Sequence, residues 1–336
     1  MKLAANVQRN EDLRIAKELA SDNDDTTLKK LRGNHKLRGP EYANNSCAYD
    51  TLSMEFTNIF EYLNAKEQDI FCKGLPVLGA IFKELDRVLD RNVNNIMSQK
   101  SGIAHSKEMI KGLYFYEGST WIFNQFTSLD LILEDIIKNG GPKRDNSPID
   151  PDELNEIAEN RFNMFVLKYK TVGSCEKSEC LVMKENSESI KIAAIERHIN
   201  LTLLQSFDYT SIQDGLNHLF GEDRKNHRCR CCNESETRKL VAMNHPVLFH
   251  LSIPTSFFGT VSTELTILGE EYNLISVEYG NMSHFKCRFL RDFHVYEYDG
   301  MGPDGGCSRL NSKLSFPPML KHNYRACGAW YTRNDC

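Results

Sequence analysis

Tyr42-Ala43-Asn44-Asn45-Ser46-Cys47-Ala48-Tyr49-Asp50 sets a cysteine where an Asn- and Ser-rich loop gives way to an apolar-periodic segment. Leu52, Phe56, Ile59 and Phe60 recur three and four residues apart, so residues 48–62 read as an amphipathic helix. Asn45 or Ser46 can cap it, because a side-chain oxygen there accepts from the free amides of the first turn. Cys47 then stands at the positive end of the helix, where the partial charge favours thiolate over thiol. That is where a nucleophilic cysteine works best. A buried, inert thiol is the commoner fate of a free cysteine, so the rest of the chain must decide.

Upstream, residues 1–29 are polar, with the acidic run Ser21-Asp22-Asn23-Asp24-Asp25, and read as a solvated extension. Downstream, 77–97 and 128–138 carry further helical periodicity, as in Leu78, Ile81, Phe82 and Leu85. Aromatic residues from Tyr114 to Phe126 read as core between helices, and Gly140 to Pro151 reads as a turn-rich linker. Past about 160 the texture changes to short β-leaning runs: 162–170, 190–195, 202–207, 247–253, 265–268, 272–279, 284–290 and 293–299. One helix, 211–220, interrupts them, with a stripe of Ile212, Leu216, Leu219 and Phe220. A helical half followed by a β-rich half is the α+β pattern. The Gly- and Pro-rich tail from Gly300, with aromatic residues near Trp330, is assigned no element.

The bulk properties fit a soluble globular chain of 336 residues, 40% hydrophobic and 26% charged. No apolar run reaches the roughly 18 residues that span a bilayer, so no membrane association is expected. The opening Met1-Lys2-Leu3-Ala4-Ala5-Asn6-Val7 lacks the apolar core of a secretory signal. The expected setting is intracellular, cytoplasmic or nuclear. Eleven cysteines there point to thiols or metal ligands, not a disulfide frame. A net charge of −5 without a clustered basic face predicts no direct nucleic-acid binding.

Two further features bear on chemistry. Strands 284–290 and 293–299, joined by Arg291-Asp292, would pair residues 290 and 293 and so set His284 opposite Asp299. Directly opposed residues share a face with Cβ atoms about 4.5–5.5 Å apart. The aspartate can then fix the imidazole tautomer and aim the other nitrogen outward. A cysteine at a helix start with an oriented His–Asp pair makes a cysteine hydrolase; an exposed strand pair is the alternative. Separately, Cys175 and Cys180 precede, and Cys229 and Cys232 follow, an interposed module. Two cysteine pairs so arranged suit a tetrahedral structural zinc, with Cys231 spare and His227 as a substitute ligand. Four unrelated thiols is the alternative.

These features, in this order, resemble the ubiquitin-specific proteases, papain-like cysteine isopeptidases built as thumb, palm and fingers. Asn44-Asn45-Ser46-Cys47-Ala48 is similar to that family's Cys box, and Ser283-His284-Phe285 with Val295-Tyr296-Glu297-Tyr298-Asp299-Gly300 to its His box. Thr210 to Phe220 resembles the short helix ahead of Cys-x2-Cys, and Leu240 to Ser252 the Pro-x-Leu strand after it. The resemblance spans about 39–301. Asn44 stands for the family's Gly, Ala48 for its Tyr, Tyr42 for its upstream Asn, and Ser283 for the Gly before the His.

The resemblance implies a catalytic domain over 30–336: a helical thumb over 30–140, zinc-binding fingers over 160–245 and a β-rich palm over 246–336. It implies a thiol isopeptidase cleaving after the C-terminal glycine of ubiquitin or a ubiquitin-like protein such as SUMO. Cys47 would be the nucleophile, His284 the base and then the acid, and Asp299 its orienting partner, with Asn44 or Asn45 supporting the oxyanion. A module that binds a ubiquitin-like protein without cleaving it is the alternative. A zinc-stabilised DNA-associated protein is disfavoured by the missing basic face.

Overall fold

The computed structural model describes residues 47–91, 150–175, 195–196, 209–220, 227–228 and 232–334, apart from 255, 282, 292, 303–305 and 311–315. It also describes helical positions 129, 132, 133, 136 and 137. The N-terminal extension, Asn44, Asn45, the 114–126 aromatic cluster, the 202–207 run, Cys180 and Cys229 lie outside these residues.

The helical part includes α1 (Cys47–Tyr62), α2 (Ala65–Gly74), α3 (Pro76–Arg91) and α4 (Pro151–Phe165). Helix α1 begins at the cysteine, as its periodicity predicts. It is not amphipathic in place, however. Every residue from Cys47 to Phe60 is buried, including Asp50, Ser53, Glu55 and Asn58. Helix α2 starts in a reciprocal cap: Asn64 Oδ1 accepts from the Glu67 amide at 3.2 Å, and Glu67 Oε2 accepts from the Asn64 amide at 2.7 Å. Helix α4 corrects the expected strand over 162–170. Asp150 caps it, Pro151 sits at its first position, and it runs to Phe165 before β1 begins.

Among the described residues, two antiparallel sheets follow. The smaller has the order β2-β1-β4-β3, from β1 (Lys168–Cys175), β2 (Ile195–Glu196), β3 (His227–Arg228) and β4 (Ser235–Ala242). Helix α5 (Ile212–Phe220) lies between β2 and β3 in sequence. The larger uses β5 (Leu248–Ser252), β6 (Glu264–Ile267), β7 (Glu270–Gly280), β8 (Phe285–Arg291), β9 (His294–Tyr298), β10 (Cys307–Arg309) and β11 (Arg325–Arg333). Its order is β10-β9-β8-β7-β11-β5, with β6 also on β7. The tail left unassigned by the sequence therefore supplies an interior strand, β11, between β7 and β5.

The larger sheet is covered on both faces. On one, Trp330 of β11 packs its ring 5.6 Å from Phe56 of α1 and 6.2 Å from Phe165 of α4. Leu129, Ile132, Leu133 and Ile136 join that core. On the other, Phe249, Leu274, Val277, Tyr279 and Tyr331 pack with Ile212 and Leu216 of α5. The β7–β11 register skips Ile275 beside Trp330, a bulge that turns Ile275 and Ser276 to the helical side together. Among the described residues no helix is long and apolar enough to cross a membrane.

A buried polar chain pins α1 to this sheet. Ser276 Oγ donates to Glu55 Oε1 at 3.1 Å, and Glu278 Oε1 meets His250 Nε2 at 3.1 Å. Burial first, then the neighbouring Glu278 carboxylate, hold the Glu55 carboxyl well above the usual range. Glu55 Oε2 and Glu278 Oε2 are buried as well. Glu278 lies on β7 and His250 on β5, with β11 between them. The carboxylate reaches across because the intervening residue is Gly328.

Candidate active site

Cys47, His284 and Asp299 come together from three places: the first residue of α1, the residue before β8 and the residue after β9. Cys47 is 3% exposed and His284 4% exposed. His284 Nε2 meets Asp299 Oδ1 at 2.8 Å, and Cys47 lies near enough to act on the same imidazole. With Nε2 taken by Asp299, Nδ1 is the nitrogen left to receive the thiol proton.

The hairpin delivers this contact in a different register from the expected one. Arg291 pairs with His294 and Cys287 with Tyr298, so His284 does not lie directly opposite Asp299. The turn is displaced by one residue, with Phe293 taking φ 61° in place of the usual glycine. Each residue's partner thereby shifts by two positions, which preserves the face of every side chain. His284 and Asp299, both just beyond the ladder, still meet.

The loop before the histidine is held by Asn281. Its Oδ1 accepts from the Ser283 amide at 2.9 Å, the Ser283 hydroxyl at 3.3 Å and the His284 amide at 2.8 Å, while its own amide donates to the His284 carbonyl at 3.0 Å. This local turn, typical of asparagine, fixes where His284 leaves the loop. Asp299 is held similarly. Its carboxylate accepts from the Met301 amide at 3.1 Å, and its backbone bonds Gly302 and Gly306. Gly306 has φ +56°, and a Cβ there would collide with the Asp299 carbonyl.

Electrostatics tie the pair together. Burial opposes a charged imidazole, but the hydrogen bonds and charges of Asp299 and Cys47 raise His284 from 6.5 to about 9. Burial would likewise raise Asp299; the His284 bond and charge, the Met301 amide and the Lys286 charge bring it below its ordinary value. Tyr324, absent from the sequence reading, stands edge-on to His284 with ring centroids 6.2 Å apart. Its hydroxyl hydrogen-bonds Asn281, and Lys286 Nζ sits 4.1 Å over its ring. Asn281 could have been found as the only asparagine in the loop leading to the histidine; Tyr324 carried no such signal because the strand it precedes, β11, was not recognised.

The cysteine set is placed only in part. Among the described residues no group of three or more His, Cys, Asp or Glu is arranged to hold a metal. Cys232 is half-buried, and Cys175 ends β1. The backbone register sets both Cys175 and His227 opposite Glu236 of β4, so the end of β1 and the β3–β4 connection share one end of the smaller sheet.

No family model and no curated protein matches the sequence. Solved structures do match. A chain of the SAGA DUB module Ubp8/Sgf11/Sus1/Sgf73 bound to monoubiquitin has a TM-score of 0.55 at 10% identity, covering 97% of this chain and 75% of that one. The same module bound to ubiquitin aldehyde has a TM-score of 0.50 at 11% identity, covering 96% and 76%. A yeast SAGA DUB module with an Sgf73 mutant also has a TM-score of 0.50 at 11% identity, covering 96% and 75%. The likeness is one of fold. This chain has a mixed helix-and-sheet architecture resembling the DUB-module fold, with its own cysteine, histidine and aspartate gathered where α1 meets the larger sheet.

Proposed function

We propose that this chain is a thiol-dependent isopeptidase that cleaves after the C-terminal glycine of ubiquitin or a ubiquitin-like modifier such as SUMO. The observation that carries the reading is the meeting of Cys47, His284 and Asp299 in one cluster, with Cys47 and His284 buried and His284 hydrogen-bonded to Asp299. The likeness to DUB-module structures bound to ubiquitin supports the substrate class.

The steps follow from the geometry. The Cys47 sulfur attacks the glycine carbonyl while its proton passes to His284 Nδ1. Asp299 on Nε2 keeps the ring aimed and stabilises the imidazolium. His284 then protonates the leaving lysine amine, the C–N bond breaks, and a thioester remains. A water, deprotonated by His284, attacks the thioester; the modifier leaves as a carboxylate and the thiol is regenerated. Backbone amides near the start of α1, with Asn44 or Asn45, would stabilise the oxyanion.

The proposal includes a papain-like arrangement of thumb, fingers and palm in an intracellular enzyme. It also includes a structural zinc bound by Cys175, Cys180, Cys229 and Cys232, supported by the shared end of the smaller sheet where β1 stops and β3 turns into β4. The metal would clamp two loops through four thiolates; no chemical step runs through it.

The test is reaction with ubiquitin and SUMO bearing a C-terminal electrophile, beside Cys47→Ala. An adduct with at least one probe, absent in Cys47→Ala, is expected. No adduct with either probe would overturn the isopeptidase reading in favour of a binding module. An adduct that survives Cys47→Ala would move the nucleophile elsewhere.

A further inference from the structure

We propose that Asp50 and Tyr298 form a second, buried link between the helix that carries Cys47 and the strand that carries Asp299, and that this link positions the catalytic residues. The inference rests on the isopeptidase reading.

Asp50 lies one turn along α1 from Cys47, and Tyr298 is the last residue of β9, next to Asp299. Both are 0% exposed. Their polar ends converge beside Gly300: a Cβ on that residue would lie 2.9 Å from the Tyr298 hydroxyl oxygen and 3.4 Å from Asp50 Oδ2. Burial, and next the charge of Asp50, hold the Tyr298 hydroxyl well above its ordinary value, keeping it a protonated donor. A buried carboxylate needs donors, and a phenol supplies one without adding a charge. The first turn of α1 adds the favourable end of the helix dipole.

The consequence is a closed loop of contacts. Along one side run Cys47, His284 and Asp299; along the other, α1 leads from Cys47 to Asp50, Asp50 meets Tyr298, and the backbone leads on to Asp299. His284 is free to bridge a thiol and a carboxylate only if the distance between them is fixed. The imidazole cannot fix that distance, because it must change partners and charge during turnover. Asp50 and Tyr298 touch none of the reacting atoms and stay unchanged throughout. They are positioning residues, and Gly300 is the space that lets them meet.

The test uses the full chain and a fluorogenic C-terminal amide of whichever modifier labels the wild type. Tyr298→Phe keeps the ring and removes the hydroxyl. It is expected to lower kcat roughly 10- to 100-fold, the scale of a small misplacement of reacting groups, with KM within about twofold. Asp50→Asn, which can still accept from the phenol, should retain most of kcat, whereas Asp50→Leu should lose as much as Tyr298→Phe. The double variant Asp50→Leu/Tyr298→Phe should be no slower than the worse single one. Circular dichroism and thermal melting establish that each variant is folded. Should Asp50→Leu fail to fold, the Tyr298→Phe and Asp50→Asn pair decides. Wild-type kcat in Tyr298→Phe, or equal loss in Asp50→Asn and Tyr298→Phe, overturns the positioning role. A wild type inert to both probes overturns the isopeptidase reading and this inference with it.

Discussion

Replacing Gly328 by alanine should be among the most damaging single-methyl changes this chain can suffer. A Cβ at 328 would fall on the Glu278 carboxylate, 2.7 Å from its Cδ and 2.9 Å from His250 Nε2. Strand β11 cannot step aside, since it is hydrogen-bonded to β7 on one edge and β5 on the other. Either the sheet distorts or Glu278 leaves His250. Overpacking costs about 1–3 kcal/mol. Breaking a buried hydrogen bond to a charged group costs about 1.5–3 kcal/mol. The expected loss is about 3–5 kcal/mol, a large share of the roughly 5–15 kcal/mol that stabilises a typical domain. Urea denaturation followed by tryptophan fluorescence measures it, because Trp330 is buried with its ring 4.6 Å from that of His250. Glu278→Ala supplies the control. If the clash is with that carboxylate, the double variant should be less destabilised than the two single losses together by more than about 1 kcal/mol. A Gly328→Ala protein within about 0.5 kcal/mol of wild type would refute the crossing geometry, and strict additivity would refute the assigned partner.

The His284–Asp299 contact predicts a pH signature. The folded value for His284, about 9, lies above its ordinary 6.5. Its stabilisation is therefore complete below about 6.5 and lost as pH rises through about 9. Asp299 is depressed, so its contribution holds above the ordinary carboxylate range and is lost as pH falls through the lowered value. The stability gap between wild type and His284→Gln should narrow between pH 6.5 and 9; a flat gap would refute the assignment. For the metal, elemental analysis should find about one zinc per chain, lost in Cys229→Ser, as four-thiolate binding requires. A folded, zinc-free protein would refute it.

Periodicity located the start of α1 and the apolar side of that helix, but not its surroundings. An amphipathic helix implies a solvent-facing polar side, yet Asp50, Ser53, Glu55 and Asn58 are all buried. Such residues look the same in sequence whether water or a sheet covers them, because their partners (Ser276 and Glu278 for Glu55) lie more than two hundred residues away. The hairpin was legible for a related reason. An error of two in register leaves alternation intact, so the His284–Asp299 meeting survived a misplaced turn. Strand β11 was hidden by its own packing. Ala326, Gly328 and Ala329 give little β signal, and Gly328 is small because Glu278 passes over it. Helix α4 was lost to a boundary set too early, although Asp150-Pro151 is a start signal that could have been read.

The position of β11 in the sheet has a consequence for synthesis. The proposed nucleophile belongs to the first described helix, while the strand between β7 and β5 ends at Arg333. At about 5–20 residues per second, tens of seconds separate their emergence from a ribosome. Until β11 arrives, β7 and β5 have no strand between them, and the surface on which α1 rests is incomplete. A chain stopped just before Arg325 would carry Cys47, His284 and Asp299 intact and still lack the strand that joins β7 to β5. In the proposed enzyme, competence would wait for β11 to slot in between β7 and β5.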